Sequence, residues 1–139
     1  MVRRLFLVLA AASLAVVAAG CGARGGNQPY TATGTAACLT KTGFAKITTN
    51  PVKVGFIAGF ADNGGLKGTA SDGNVLTIAF TANATDAVSS TRNAFRLHAP
   101  KALRPHIADI METEQNAVLV WTVTPSSTQL ADVVGCLHS

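Results

Sequence analysis

The sequence is poor in charge and in aromatic residues, and it lacks the common catalytic motifs. Charged residues make up 13% of its 139 residues, with one tryptophan, one tyrosine and three cysteines. It contains no HExxH or HxH spacing, no GxSxG and no Gly-Lys-Ser/Thr phosphate loop. These absences exclude zinc hydrolases, α/β hydrolases and P-loop proteins with the usual motifs. We therefore predict no catalytic residue, no metal ligand and no cofactor.

The clearest positive feature is an N-terminal apolar run that ends on a cysteine. Arg3–Arg4 precede an apolar stretch at 5–17, small residues fill 18–20, and Cys21 follows. The stretch has secretory length and is shorter than the roughly 20 residues that span a bilayer. It resembles the bacterial lipoprotein signal peptide, in which the cysteine becomes the first mature residue and carries a diacylglyceryl group. The resemblance implies a signal peptide at 1–20, lipidation of Cys21 and an anchor on the extracytoplasmic face of the cell membrane.

Alternatives remain open for this segment. Cys21 would be free or disulfide-paired behind an ordinary secretory peptide, and an uncleaved leader would be a membrane anchor. The arginine pair also fits a minimal twin-arginine export pattern, but Val2 stands where that pattern has a polar residue, so general secretion is favoured. Residues 21–33 are glycine-rich, polar and aperiodic, and predict a flexible tether. A single α+β domain is expected at 34–139.

Removal of the leader leaves little net charge. The chain has 11 Lys and Arg against 7 Asp and Glu. Because Arg3 and Arg4 belong to the leader, nine basic residues remain against seven acidic ones. No cluster of Lys or Arg is left, so we predict no nucleic-acid partner.

The two cysteines that remain, Cys38 and Cys136, form an even pair in an exported chain. A disulfide persists outside the cell, and no histidine or further cysteine stands at metal-ligand spacing from either one. We predict a Cys38–Cys136 disulfide that closes almost the whole domain. The alternative is two buried thiols that never meet.

The hydrophobic pattern predicts an α+β fold. Alternating apolar residues or continuous apolar runs predict four strands, at 44–49, 66–71, 75–80 and 117–123. Helical spacing predicts five further elements, at 35–41, 51–61 (where a strand is the alternative), 83–98, a turn after Pro105, and 126–137. This order predicts a four-stranded antiparallel sheet with helices on one face, a ferredoxin-like βαββαβ core, plus an extra helix at each end.

The histidines and carboxylates show no catalytic spacing. His98 ends an amphipathic helix, where a cation suits the helix dipole. His106 follows a proline in a loop, and His138 is the penultimate residue. Glu112 and Glu114 are two residues apart, a spacing at which helical side chains do not face each other. Each of these residues is therefore expected on a solvated surface or helix end.

The remaining candidates lead to three functional hypotheses. The sequence from Asp62 to Gly65 predicts a turn rather than a cation loop, and Trp121 is expected in the core. The first hypothesis is a non-catalytic binding or envelope-support domain. The second is a small hydrolase using Asp62, His98 or Glu112. The third is a small-ligand binder, for which an apolar pocket under 51–61 would be the sign.

Three short strings carry a second resemblance. AACLTKTG, VLVW and VVGCL, spread over residues 35–137, are similar to segments of small exported actinobacterial proteins of unknown function. The resemblance implies a fold and a cysteine pair. It implies no activity. The expected partners are the membrane, through the anchor on Cys21, and another envelope protein or a small ligand.

Overall fold

A computed structural model describes residues 28–139, so the predicted signal peptide and Cys21 lie outside the described residues. The described part is an α+β fold built on a five-stranded antiparallel sheet with the order β1-β2-β3-β5-β4. The strands are β1 (Ala45–Thr48), β2 (Gly65–Thr69), β3 (Val75–Phe80), β4 (Met111–Glu114) and β5 (Ala117–Trp121).

Six α-helices accompany the sheet in this part of the chain. They are α1 (Ala32–Leu39), α2 (Pro51–Val54), α3 (Phe56–Gly59), α4 (Ala84–Asp86), α5 (Arg92–His98) and α6 (Ser127–Leu137). A π-helical turn at Ala87–Thr91 joins α4 to α5, and 3-10 turns lie at Thr40–Thr42 and Arg104–His106. None of the described helices is long and apolar enough to cross a bilayer.

Side-chain caps fix where most of these helices begin. The Asn50 side chain accepts a hydrogen bond from the backbone N–H of Val52 at the start of α2, with proline in the first turn. Ser126 and Gln129 form a reciprocal capping box on α6. The helix α1 begins three residues before the start predicted at residue 35. Thr31 caps it, and Thr35 is buried inside the helix with its hydroxyl donating to the Thr31 carbonyl.

The helices cover both faces of the sheet, so the prediction of helices on one face was wrong. Alternate side chains of a strand point to opposite faces. Leu76, Ile78 and Phe80 of β3 face one way and share a core with α1 and α6, whereas Ala79 faces the other way and packs against α2 and α3. The apolar pattern at 75–80 predicted the strand but did not show that both of its faces are covered.

The predicted four-stranded ferredoxin-like core is not confirmed, because the sheet has a fifth strand. The sequence predicted only a helical turn between Pro105 and the last strand, but residues 111–114 form β4, which pairs with β5 in a hairpin. The turn between them puts Gln115 at φ 48°, a left-handed backbone without the usual Asn-Gly sequence. The four strands and the helical segments that were predicted are all present.

Two long-range contacts close the domain. The predicted disulfide is present: Cys38 of α1 is bonded to Cys136 of α6, with their Cα atoms 5.4 Å apart. Tyr30 is buried, and its backbone N–H and carbonyl bind the side chain of Asn116 at 2.7 and 3.0 Å. The folded part therefore begins within the segment predicted as tether, at 21–33.

Candidate functional site

α2 and α3 lie in the segment that joins β1 to β2, and they pack against the sheet. Val54 and Ala58 are buried there against Ala79. Gly65 lies directly beneath Ala58, and a Cβ atom on Gly65 would collide with the Ala58 backbone. This close approach fixes α3 on the sheet and leaves its remaining apolar side chains to face α5 or solvent.

An apolar groove lies between α3 and α5; we call it the α3–α5 groove. Its outer cavity has a volume of about 330 Å³ and is lined by Val54, Ile57, Thr77, Phe95 and His98, among others. An adjoining cavity of about 150 Å³ shares Ile57, Phe95 and His98 and continues along the sheet. The groove is therefore one continuous depression, with strand residues as its floor and α3 and α5 as its walls.

The adjoining cavity, which is the deeper end of the groove, is almost entirely apolar. It is lined by Leu103, Ile107, Ile110 and Val120, and the half-buried Val120 pairs with Thr77 on the neighbouring strand. Among residues 28–139, no carboxylate, lysine or arginine lines either cavity. An apolar depression with two polar side chains, the Thr77 hydroxyl and the His98 imidazole, has the usual make-up of a small-molecule site.

The residues named for a hydrolase do not come together. The Asp62 carboxylate accepts a hydrogen bond from the backbone N–H of Ala82 at 3.2 Å, and Glu112 is exposed on β4. His98 lines the groove. Among the described residues these three share no hydrogen bond, ion pair or cavity, so the geometry gives the hydrolase alternative no catalytic arrangement.

A polar cluster that the sequence analysis did not predict joins both ends of the domain. The Tyr30 hydroxyl lies 3.1 Å from His138 Nδ1, and His138 Nε2 lies 3.5 Å from Glu114 Oε1. Burial, and to a lesser extent the Glu114 charge, raises the pKa of Tyr30 above its ordinary value of 10.0. The phenol therefore stays protonated at neutral pH, and the cluster holds the chain entry against α6 and β4. Tyr30 and His138 are 108 residues apart, a separation that local patterning does not bridge.

The other polar groups form no competing centre. His106 lies 3.8 Å from Asp109 in an exposed i,i+3 pair. A polar cleft of about 250 Å³ beside the start of α6 contains Asp72 and Asp132, but Asp72 already accepts from Asn74 and from the side chain of Gln129. No group of three His, Cys, Asp or Glu residues in the described part is placed to hold a metal ion.

A second apolar surface, which we call the α2–α3 apolar patch, consists of Val52, Phe56 and Phe60. These side chains are 91%, 78% and 78% exposed, and the two phenylalanine rings lie 5.0 Å apart between centroids. The helical pattern at 51–61 indicated a buried stripe but did not show that a second apolar set would face outward.

Comparison of the chain with protein-family models, with curated proteins and with solved structures finds no match. The described fold therefore brings no function with it by similarity. The α3–α5 groove and the sequence features of the N-terminus are the features from which a function can be inferred.

Proposed function

We propose that the chain is an exported lipoprotein, anchored through Cys21, whose domain binds an apolar small molecule in the α3–α5 groove without catalysing a reaction. The observation that carries the binding function is the groove itself. It adjoins the segment 51–61, where an apolar pocket was the sign expected of a ligand binder. Its wall and floor are apolar, with Thr77 and His98 as the polar contacts.

The volume of the groove limits the ligand. The outer cavity, at about 330 Å³, falls at the low end of the range of roughly 300–1,000 Å³ for ligand sites. This size suits a short alkyl chain or one ring system. The imidazole of His98 and the hydroxyl of Thr77 offer one or two hydrogen bonds to a polar head, and the deeper cavity near Val120 takes the apolar end.

The anchor is supported by the residues before Cys21, which resemble a lipoprotein signal peptide, and by the short length of chain between Cys21 and the folded part. Cys21 precedes the buried Tyr30 by nine residues. Two acyl chains hold a protein stably on a bilayer, at about 0.8 kcal/mol per buried methylene. A diacylated Cys21 would keep the domain permanently at the membrane surface.

The fluorescent probe 1-aminoanthracene, one fused ring system with a polar amino group, tests the groove. The full chain is titrated with this probe, and the rise in its fluorescence gives the dissociation constant. Thr77→Leu fills the floor of the groove and should weaken binding about tenfold, since it displaces roughly two methylene groups at about 0.8 kcal/mol each.

Thr69→Leu is the matched control for Thr77→Leu. Thr69 is also half-buried, lies on the same face of the sheet by strand alternation, and does not line the groove. Its variant should bind the probe like the parent chain. Equal affinities for both variants, or no binding by the parent, would remove the groove from the proposal.

Cell fractionation followed by intact mass measurement tests the anchor. The chain should partition with membranes, and its mass should correspond to a chain that begins at Cys21 and carries a diacylglyceryl group. Cys21→Ser should abolish both the processing and the lipid. A chain cleaved elsewhere, or one that carries no lipid, would refute the anchor and leave the groove to be judged by the probe.

A further inference from the structure

The α2–α3 apolar patch is one continuous surface rather than a set of scattered side chains. Val52, Phe56 and Phe60, together with Pro51 and Gly59, line a shallow depression of about 350 Å³. Between residues 49 and 61 the only charged residue is Lys53. Two largely exposed phenylalanines in contact with each other are costly in water, so this surface favours an apolar partner.

The patch lies at the end of the sheet where the chain enters the domain. The backbone N–H of Ala32 donates to the Asn63 carbonyl at 3.2 Å, and Asn63 is only three residues after Phe60. Tyr30 is nine residues after Cys21, and a fully extended chain of that length spans at most about 31 Å. A lipid on Cys21 therefore keeps this end of the sheet within that distance of the bilayer.

We propose that the α2–α3 apolar patch inserts into the headgroup–acyl boundary of the bilayer that holds the lipid on Cys21. The inference rests on the proposed anchor. Interfacial apolar faces bury about 5–10 Å deep. Phe56 at the start of α3 and Phe60 just after its end, both 78% exposed, would enter this layer first. Lys53 keeps its ammonium group among the headgroups while its alkyl stem lies along the apolar surface. Phe56 also lines the α3–α5 groove, so the groove opens beside the membrane.

A tryptophan placed in the α2–α3 apolar patch reports how deeply the patch inserts into the bilayer. The full chain is purified from membranes and reconstituted into vesicles of phosphatidylethanolamine and phosphatidylglycerol, with and without brominated acyl chains. Phe60→Trp is the reporter, and Phe56→Trp is a second reporter in case the first disturbs folding. The native Trp121, 1% exposed, is the buried reference in every sample.

Val123→Trp is the matched control. Val123 is also an exposed apolar residue, at 58%, and its carbonyl accepts from Asn74 in the β2–β3 hairpin, at the opposite end of the sheet from Gly65. Brominated lipid should quench the emission added at position 60 or 56 and leave that at position 123 unchanged. Acrylamide, which is dissolved in the water, should quench the emission added at position 123 more strongly than that added at position 60 or 56.

Other results would overturn the inference in distinguishable ways. Chains that sediment with the vesicles but show no lipid quenching at 56 or 60 would keep the anchor and refute insertion. Protection from acrylamide without lipid quenching would mean that a protein, or a second copy of the chain, covers the patch. Chains that fail to sediment would refute the anchor and the insertion together.

Discussion

Removal of the Cys38–Cys136 disulfide should cost a large part of the stability of the domain. The bridge joins residues separated by 98 positions. In the chain-entropy treatment a loop of this size raises the free energy of unfolding by about 4.7 kcal/mol, because it restricts the unfolded chain. Small domains have a total stability of roughly 5–15 kcal/mol. The reduced protein should therefore be marginally folded, with a melting temperature lower by about 15–20 °C.

Two perturbations separate the cross-link from the packing. Reduction of the parent chain breaks the bond and leaves both sulfur atoms in place. The double variant Cys38→Ala, Cys136→Ala also empties the fully buried site of Cys136. Urea unfolding of both forms, followed by the fluorescence of the single buried Trp121, gives the free energy of unfolding.

If the disulfide acts by restricting the unfolded chain, most of the loss in the free energy of unfolding should occur on reduction alone, with a smaller further loss in the double variant. A loss below about 1 kcal/mol on reduction would refute it, since even a short loop is expected to contribute more. A large loss seen only in the double variant would mean that packing around Cys136, not the cross-link, stabilises the domain.

Three further predictions follow from the core. Tyr30, the only tyrosine, should titrate above pH 10.0 by ultraviolet absorbance in the folded chain and near 10.0 in denaturant. Because the unfolded chain then loses this proton first, the free energy of unfolding should fall as the pH rises above 10.0. A native midpoint at or below 10.0 would contradict this. Asn116→Ala should lower the free energy of unfolding by about 2–4 kcal/mol in urea, since its side chain makes three buried hydrogen bonds to Tyr30 and Thr81; a change under 0.5 kcal/mol, roughly the smallest worth of one bond, would refute it. Gly65→Ala should cost about 1–3 kcal/mol in the same assay by pushing α3 off the sheet, and an unchanged midpoint would show that Ala58 moves freely.

Local patterning predicted most of the elements, because their signals are short-range. Apolar alternation marks β3, and the Asp72-Gly73-Asn74 turn before it is stabilised by an Asp72 carboxylate that accepts from the Asn74 backbone. The side chains of Asn50 and Ser126 accept hydrogen bonds from backbone N–H groups no more than three residues away. Cysteine counting predicted the one long-range contact that composition alone reveals.

The sequence missed what depends on distant partners. β4 has only four residues, and its turn uses Gln115 at positive φ, so no hairpin signal was visible. The groove forms because Ile57 of α3 and Phe95 of α5, nearly 40 residues apart in sequence, line the same cavity beside Thr77 of β3. The sequence did not show that one apolar face of α2 and α3 is exposed, because buried and exposed apolar residues look the same in a sequence pattern.

Native mass spectrometry of the full chain, extracted from its own membranes in mild detergent, tests the central proposal most directly. The chain should begin at Cys21 with a diacylglyceryl group and should carry a non-covalent apolar adduct. Thr77→Leu should lose the adduct, and Thr69→Leu should keep it. An unmodified Cys21, or an adduct equally abundant in all three proteins, would contradict the account.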